Sequence, residues 1–592
     1  MRGVILGCGL GLALLWAGTA GAAVVNVNCA HQNLQNKINN AAAGSTLEIK
    51  GTCKGQFAIA KSLKLVGDPS ATIDGNQGGR TLDITGPANV TLSHLIVTGG
   101  RFSASGGPVA FGGGIRAANS NLTLRHVTVR GNTVEGTGGP AETATAIGGG
   151  IYSEAGSLTL IDSKVTGNFA HGTAGTANAY AGGIYRALLD MTLIRTTVKD
   201  NRAAADGGGQ DSLAQGGGVY IDEGHLEVRS SHVDGNTARV NGPAGGARAE
   251  GGGLYMGDGE SLFVVHSTFN GNRAAATTGG TAATANGGGI GGLVTHGSMT
   301  KSKVSSNTVH AESTLDGDTG GGGIGLDLLD TLELTSSRLA SNAVDVVGTG
   351  STGASGGGIQ LRSGTLELEK STVDRNTVTA PSTGGGSAGG AGIQTSESLV
   401  LKASTVSRNV AKSATTLGGG IELTGSSGTG KITNSTIAGN KAFGGSARGG
   451  GIDTFRDLTV TSTTIAENSA KIGGGLYNES GTTTIQATIL AGNTASQSSP
   501  NCGGNIVSAG HNLIAQKKDC TLTPLPSDIV GKGARLGALG AHGGPTETIP
   551  LKSISPALNA LPSAACKVNK DQRGVKRPQG KRCDIGAFEV KK

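Results

Sequence analysis

Apolar and polar residues alternate along most of this chain in short bursts set between glycine runs. The plainest burst is residues 148–168 (GGGIYSEAGSLTLIDSKVTGN). It holds a glycine triplet, an apolar head, an alternating Leu-x-Leu and then Ser/Thr-x-Val-x-x-Asn. A period of two is the pattern of strands with one face buried. The arc occurs twelve times, with its head at Ile115, Ile151, Ile184, Val219, Leu254, Ile290, Ile324, Ile359, Ile393, Ile421, Ile452 and Leu476. Its closing residue keeps step at Asn132, Asn168, Asn201, Asn236, Asn272, Asn307, Asn342, Asn376, Asn409, Asn440, Asn468 and Asn493. Head and Asn stand 16 to 19 residues apart in every copy, whereas the distance from Asn to the next head falls from 19 to 8. The arc therefore predicts structure, and the connection predicts insertion.

One such unit is too short to bury a core alone and must stack on its neighbours. In a parallel β-solenoid, equivalent residues lie about 4.8 Å apart. Inward Asn side chains then form a ladder, because a buried amide left unpaired costs about 1–3 kcal/mol. The Ser/Thr two places before the last apolar position (Ser163, Thr196, Ser231 and their equivalents) predicts a second inward ladder. The connections, such as TVEGTGGPAETATAIGGG, are built from Gly, Ala and Thr. They are expected to leave one side of the solenoid as a fringe that tapers toward the C-terminus. Composition leaves open whether that fringe is strand or loop. With two or three entry coils, the predicted rod is roughly 70 Å long.

The ends read differently. Leu34, Ile38 and Ala41/Ala42 share one helical face and predict a short helix capping the open N-terminal end. Entry strands are expected at 46–49, 57–59, 63–66, 71–73, 82–84 and 90–97. At the start of the chain, Arg2, an uncharged apolar run and Ala20-Gly21-Ala22 have the grammar of a secretory signal peptide cut after Ala22 or Ala23. The expected division is thus 1–22 signal, 23–100 cap and entry coils, 101–495 repeats and 496–592 a C-terminal domain that caps the last coil.

Composition narrows the picture. Gly is 107 of 592 residues and aromatics are 3%, which suits a thin solenoid core and no ordinary globular one. Outside the signal there are six cysteines: Cys29, Cys53, Cys502, Cys520, Cys566 and Cys583. An even number in an exported chain suggests disulfides, and proximity suggests 29–53, 502–520 and 566–583, although sequence leaves connectivity open. Zinc spacing is missing, and no cofactor is expected. Of the net charge of +7, nine Lys/Arg against three Asp/Glu from Cys566 onward supply +6. A basic end without interleaved aromatics suits an anionic envelope or glycan and gives no case for nucleic acid.

The Gly-Gly-Gly-Ile to Asn arc resembles the right-handed, single-stranded parallel β-helices of the pectin-lyase-like class over residues 31–495. Residues 496–592 resemble the choice-of-anchor Q domain of bacterial surface and exported proteins. That resemblance rests on Asn501-Cys502-Gly503, His542-Gly543-Gly544-Pro545-Thr546, Asp571-Gln572-Arg573-Gly574, Arg577-Pro578 and Cys583-Asp584-Ile585-Gly586-Ala587-Phe588-Glu589. Together these imply an all-β, exported bacterial protein, secreted or held at the cell surface, monomeric and without an integral membrane segment once the signal is removed.

Relatives of this class that cut polysaccharides need paired carboxylates, about 5–5.5 Å apart for retention and about 6.5–9.5 Å for inversion. Glu333 and Glu367 occupy the outward middle of Leu-x-Leu in consecutive copies and are the best catalytic pair available. Asp234 and Asp374 share another outward position but stand four coils, about 19 Å, apart. None of the Asn-Thr-Asp, Asp-Asp, Gly-His-Gly and Arg-Ile-Lys segments of polygalacturonase-like enzymes occurs here, and no coil gathers the acidic calcium cluster of pectate-lyase type. Gly322 to Asp330 imitates a calcium nonapeptide but lacks tandem copies. Lys164, His232, Lys303 and Arg338 make a sparse outward cationic stripe. The expectation is a non-catalytic surface, adhesive or structural module that contacts polysaccharide or another envelope component. The alternatives are a polysaccharide lyase or glycoside hydrolase, or a passive spacer.

Overall fold

The structure is a computed structural model that describes residues 22–105, 109–280, 282–314, 316–382, 384–425 and 427–591. The expected signal peptide, Ala22 apart, lies outside the described residues. The repeat builds an all-β parallel solenoid. Heads pair with heads in unbroken register, as in Ile115 with Ile151, Ile151 with Ile184 and Ile452 with Leu476. The same row reaches back through Leu82 to Phe57 and forward to Cys502.

One turn serves for all. Ile184–Arg186, Met191–Ile194 and Thr197–Lys199 are the head, middle and flank strands of the barrel. Four residues of left-handed backbone bend the turn: Ala181 (φ 52°), Leu189 (φ 69°), Arg195 (φ 47°) and Asp200 (φ 54°). Ala181 replaces the first glycine of a triplet, so that corner tolerates a Cβ. The third glycine does not, since a Cβ on Gly150 would stand 2.7 Å from Gly183 O and 2.9 Å from the Asn168 amide. Glycine is required there by close stacking over the ladder.

Both predicted ladders are present. Asn201 Oδ1 accepts from the backbone N–H and the Nδ2 of Asn168 (3.1 and 2.9 Å), while Asn201 Nδ2 donates to Val165 O (2.9 Å) and Asn236 Oδ1 (3.0 Å). This pattern runs from Asn132 to Asn493, which donates to Asn501 (3.0 Å). In the second ladder the N–H of Thr196 donates to Ser231 Oγ and that of Ser231 to Ser267 Oγ, both at 3.0 Å. Every buried amide in the ladder is thereby paired, which pins the register of the whole barrel.

The fringe is folded. After Asn201 the chain leaves the barrel as Arg202–Gly207 and returns as Ser212–Gln215. Equivalent legs stack in parallel from Arg101–Ser105 to Thr494–Ser498, forming a fin along the barrel. The legs shorten from Phe169–Ala174 and Thr176–Tyr180 to Lys441–Phe443 and Ser446–Arg448, the predicted taper. The fin has its own core, almost wholly alanine and valine, separate from the Leu/Ile/Val core of the barrel.

At the N-terminus the helix is Leu34–Asn40, with Leu34 and Ile38 buried and Asn33 as its cap. A strand not expected from sequence, Val24–Asn28, precedes it and pairs with Thr46–Lys54. The disulfides are 29–53, 502–520 and 566–583. Strand pairing continues past residue 495 through Cys502–Ser508 and Leu513–Ile514 to Ile529–Val530. The remaining chain folds back along the flank rather than sitting only on the last coil. Gln572 is buried, donating to Ser404 O (3.1 Å) and Thr405 Oγ1 (2.8 Å) and accepting from Thr436 Oγ1 (2.6 Å). Further along, the Ala587 N–H donates to Thr464 Oγ1 (3.1 Å) and that of Gly586 to Ala487 O (3.0 Å).

Candidate functional site

Glu333 and Glu367 are register partners on adjacent turns, as the repeat predicts. Both are exposed, with Ser298 before them and Val400 after them in the row. They lie on the open face of the middle strands, exposed to water. Adjacency is present, but the enclosing site that acid–base chemistry uses is not part of this surface.

The other outward candidates change character. Asp374, expected to face solvent, is fully buried: Arg338 and Arg408 each donate to it at 2.8 Å, and Arg375 forms an ion pair with it at 2.8 Å. Arg408 also holds Glu547 of the folded-back segment at 2.6 Å. Arg338 therefore belongs to a structural ion network. Lys164, His232 and Lys303 remain exposed, and the cationic stripe loses one of its four members. Asp234 accepts from the Asn270 N–H at 3.0 Å and does not meet Asp374.

An open concavity arises where the fin begins. Entry turns cross from Asp74 to Leu82 without a fin, so the first fin leg, Arg101–Ser105, overhangs them as a step. Beneath it lies an open cleft of about 830 Å³, lined by Gln35, Gln56, Gln77, Arg80, Arg101 and Phe102 among others. Arg80 is fixed by Phe111 O (2.7 Å), Gly112 O (2.9 Å) and Asp83 (3.1 Å), and its guanidinium lies 4.5 Å from the Phe102 ring centroid. Asp83 also faces Arg116 at 3.2 Å, so the carboxylate lining the cleft is neutralised twice. Arg101 pairs with Glu135 at 3.1 Å and stays half exposed. Gln35 is held rigidly by Ala58, donating to its O (3.0 Å) and accepting from its N–H (2.7 Å). Amide and guanidinium donors around a partly exposed aromatic ring suit hydroxyl- and carboxylate-bearing ligands. Sequence reasoning missed this cleft, because the turn offsets there vary from 18 to 27 residues and no repeat aligns its lining.

A second missed feature is the residue after each head. Tyr152, Tyr185, Tyr220 and Tyr255 stack with centroid separations of 5.4, 4.9 and 5.3 Å at the corner between barrel and fin. Their faces cover one another, so this row is a filled corner rather than a sugar platform. The repeated Gly-Gly-Gly-x-Tyr of the sequence carried that signal. Among the described residues, no three His, Cys, Asp or Glu side chains converge as a metal site, and no helix is long and apolar enough to cross a membrane. Comparison with family models, with curated proteins and with solved structures gives no match. The functional reading therefore rests on the fold and the geometry above.

Proposed function

We propose that the protein is an exported, monomeric, non-catalytic β-solenoid that presents a rigid surface and contacts envelope polysaccharide through the cleft under the first fin leg. The cleft carries this reading. It gathers Gln, Arg and an aromatic edge, the groups that bind sugar hydroxyls and acidic sugars, and its carboxylate is already neutralised. Three disulfides suit an oxidising compartment. The likeness of the repeats to right-handed pectin-lyase-like helices, and of residues 496–592 to the choice-of-anchor Q domain, supports a place at the bacterial surface. The enzyme reading keeps one specific observation, the register pairing of Glu333 with Glu367.

The test uses the mature chain on a glycan array and on a panel of polysaccharides assayed for turnover. Binding that falls at least tenfold in Arg101→Ala and Gln56→Ala, without turnover, is the expected result. Turnover abolished by Glu333→Gln would establish the hydrolase or lyase instead. Neither binding nor turnover would leave the spacer.

A further inference from the structure

The tyrosine row does not end at Tyr255. In the same register it continues through Gly291 and Gly325 to Gln360, Gln394, Glu422, Asp453 and Tyr477. The last third of this corner is polar, buried and short of donors. Gln394 is 8% exposed, Glu422 5% and Asp453 0%. Gln394 commits its Nε2 to Thr424 Oγ1 (3.0 Å), in the turn of Glu422, and its Oε1 has no partner. Neither oxygen of Asp453 has a hydrogen-bond donor. Gly389, in the turn of Gln394, leaves open the space that the Glu422 carboxylate fills, because a Cβ there would collide with Glu422 Oε2. The carboxylate thus leans toward the turn of Gln394.

The neighbouring charges do not resolve this. Arg448 is engaged by Glu479 at 2.5 Å and lies 5.8 Å from the Tyr477 ring centroid. That pair is neutral, which leaves two buried carboxylates on adjacent turns with no cation of their own. Two acid protons would supply two donors to five oxygens. A single hard cation takes six to eight oxygen ligands, and its double charge balances both carboxylates.

We propose that Gln394, Glu422 and Asp453 form a buried binding site for a divalent cation of the calcium class, which locks the C-terminal part of the barrel–fin corner. Ligands would be the Gln394 amide oxygen and the two carboxylates, three successive rungs of one row. The site is independent of the glycan reading and lies far along the rod from the entry cleft.

Tyr477, the register partner of Asp453, provides the test, because tyrosine sensitises bound terbium. The chelator-treated full chain should show saturable terbium emission on tyrosine excitation that calcium displaces. The emission should be lost in Asp453→Asn and in Glu422→Gln. Tyr477→Phe should lose the emission but keep the calcium response. Calcium at one hundred times its Kd should raise the unfolding midpoint by about 2–4 °C over the chelated protein. The wild-type titration needs no variant to fold. Absence of saturable emission together with a calcium-independent midpoint would overturn the proposal and leave the carboxyls held by protons alone. Emission that persists in a folded Asp453→Asn would overturn it equally, by placing the ion elsewhere.

Discussion

Barrel and fin share one register yet are stabilised by different means. The barrel is wide enough for Leu, Ile and Val, and each large side chain buried contributes about 1.5–3 kcal/mol. The fin brings its two legs so close that a Cβ on Gly172 would stand 2.5 Å from Asn178 O, and one on Gly136 would stand 2.8 Å from Thr145 O. Only Gly, Ala and an occasional Val fit between such legs. Burying alanine gains little per residue, so the fin depends on the barrel to hold its strands in step. The polar ladders belong to the barrel alone. Asn and Ser rungs fix which residue lies over which, and the fin inherits that alignment.

This contrast can be broken from either side. The largest effect is expected from Asn307→Leu. Asn307 accepts from the N–H and Nδ2 of Asn272 and donates to Phe269 O and Asn342 Oδ1, all at 2.9 Å. The Asn272 N–H loses its acceptor, and the other three groups each lose one bond, although Asn342 Oδ1 keeps the Asn307 N–H and Asn272 Nδ2 keeps Val233 O. A buried group left unpaired costs about 1–3 kcal/mol, which denaturant unfolding of the whole rod would register. Next comes Leu334→Ala, a cavity in the aliphatic core, expected to cost about 2–5 kcal/mol by the same measurement. Ala276→Leu overpacks the fin and should cost about 1–3 kcal/mol. Its signature is local: amide exchange should speed up in neighbouring fin legs and stay unchanged in the barrel. Glu333→Gln and Glu367→Gln should move stability by no more than about 0.5 kcal/mol, as exposed substitutions do.

The barrel was legible because its signals are strong and periodic. Heads, Leu-x-Leu and Asn recur at nearly fixed spacing, and each needs one environment. The fin legs were not, because RAAADG and SLAQ carry no contrast between inward and outward residues that a hydrophobicity pattern would detect. The folded-back C-terminus was also hidden. Glu547 and Gln572 meet residues 139 to 168 positions earlier, and a polar contact of that range leaves no local trace. Among candidate site residues, the adjacency of Glu333 and Glu367 followed from register alone. The burial of Asp374 did not, since three arginines from three turns had to converge on it. The entry cleft needed knowledge of where the fin begins.

The central claim is that the glycine- and alanine-rich connections are a folded second core and not a loop fringe. Native-state hydrogen exchange, read peptide by peptide, tests it directly. Amides of Arg202–Gly207, Thr237–Gly242 and Arg273–Thr278 should be protected well above free-chain rates, though less than Leu-x-Leu amides of the same turns. Exchange of those legs at free-chain rates, with the barrel still protected, would contradict the account.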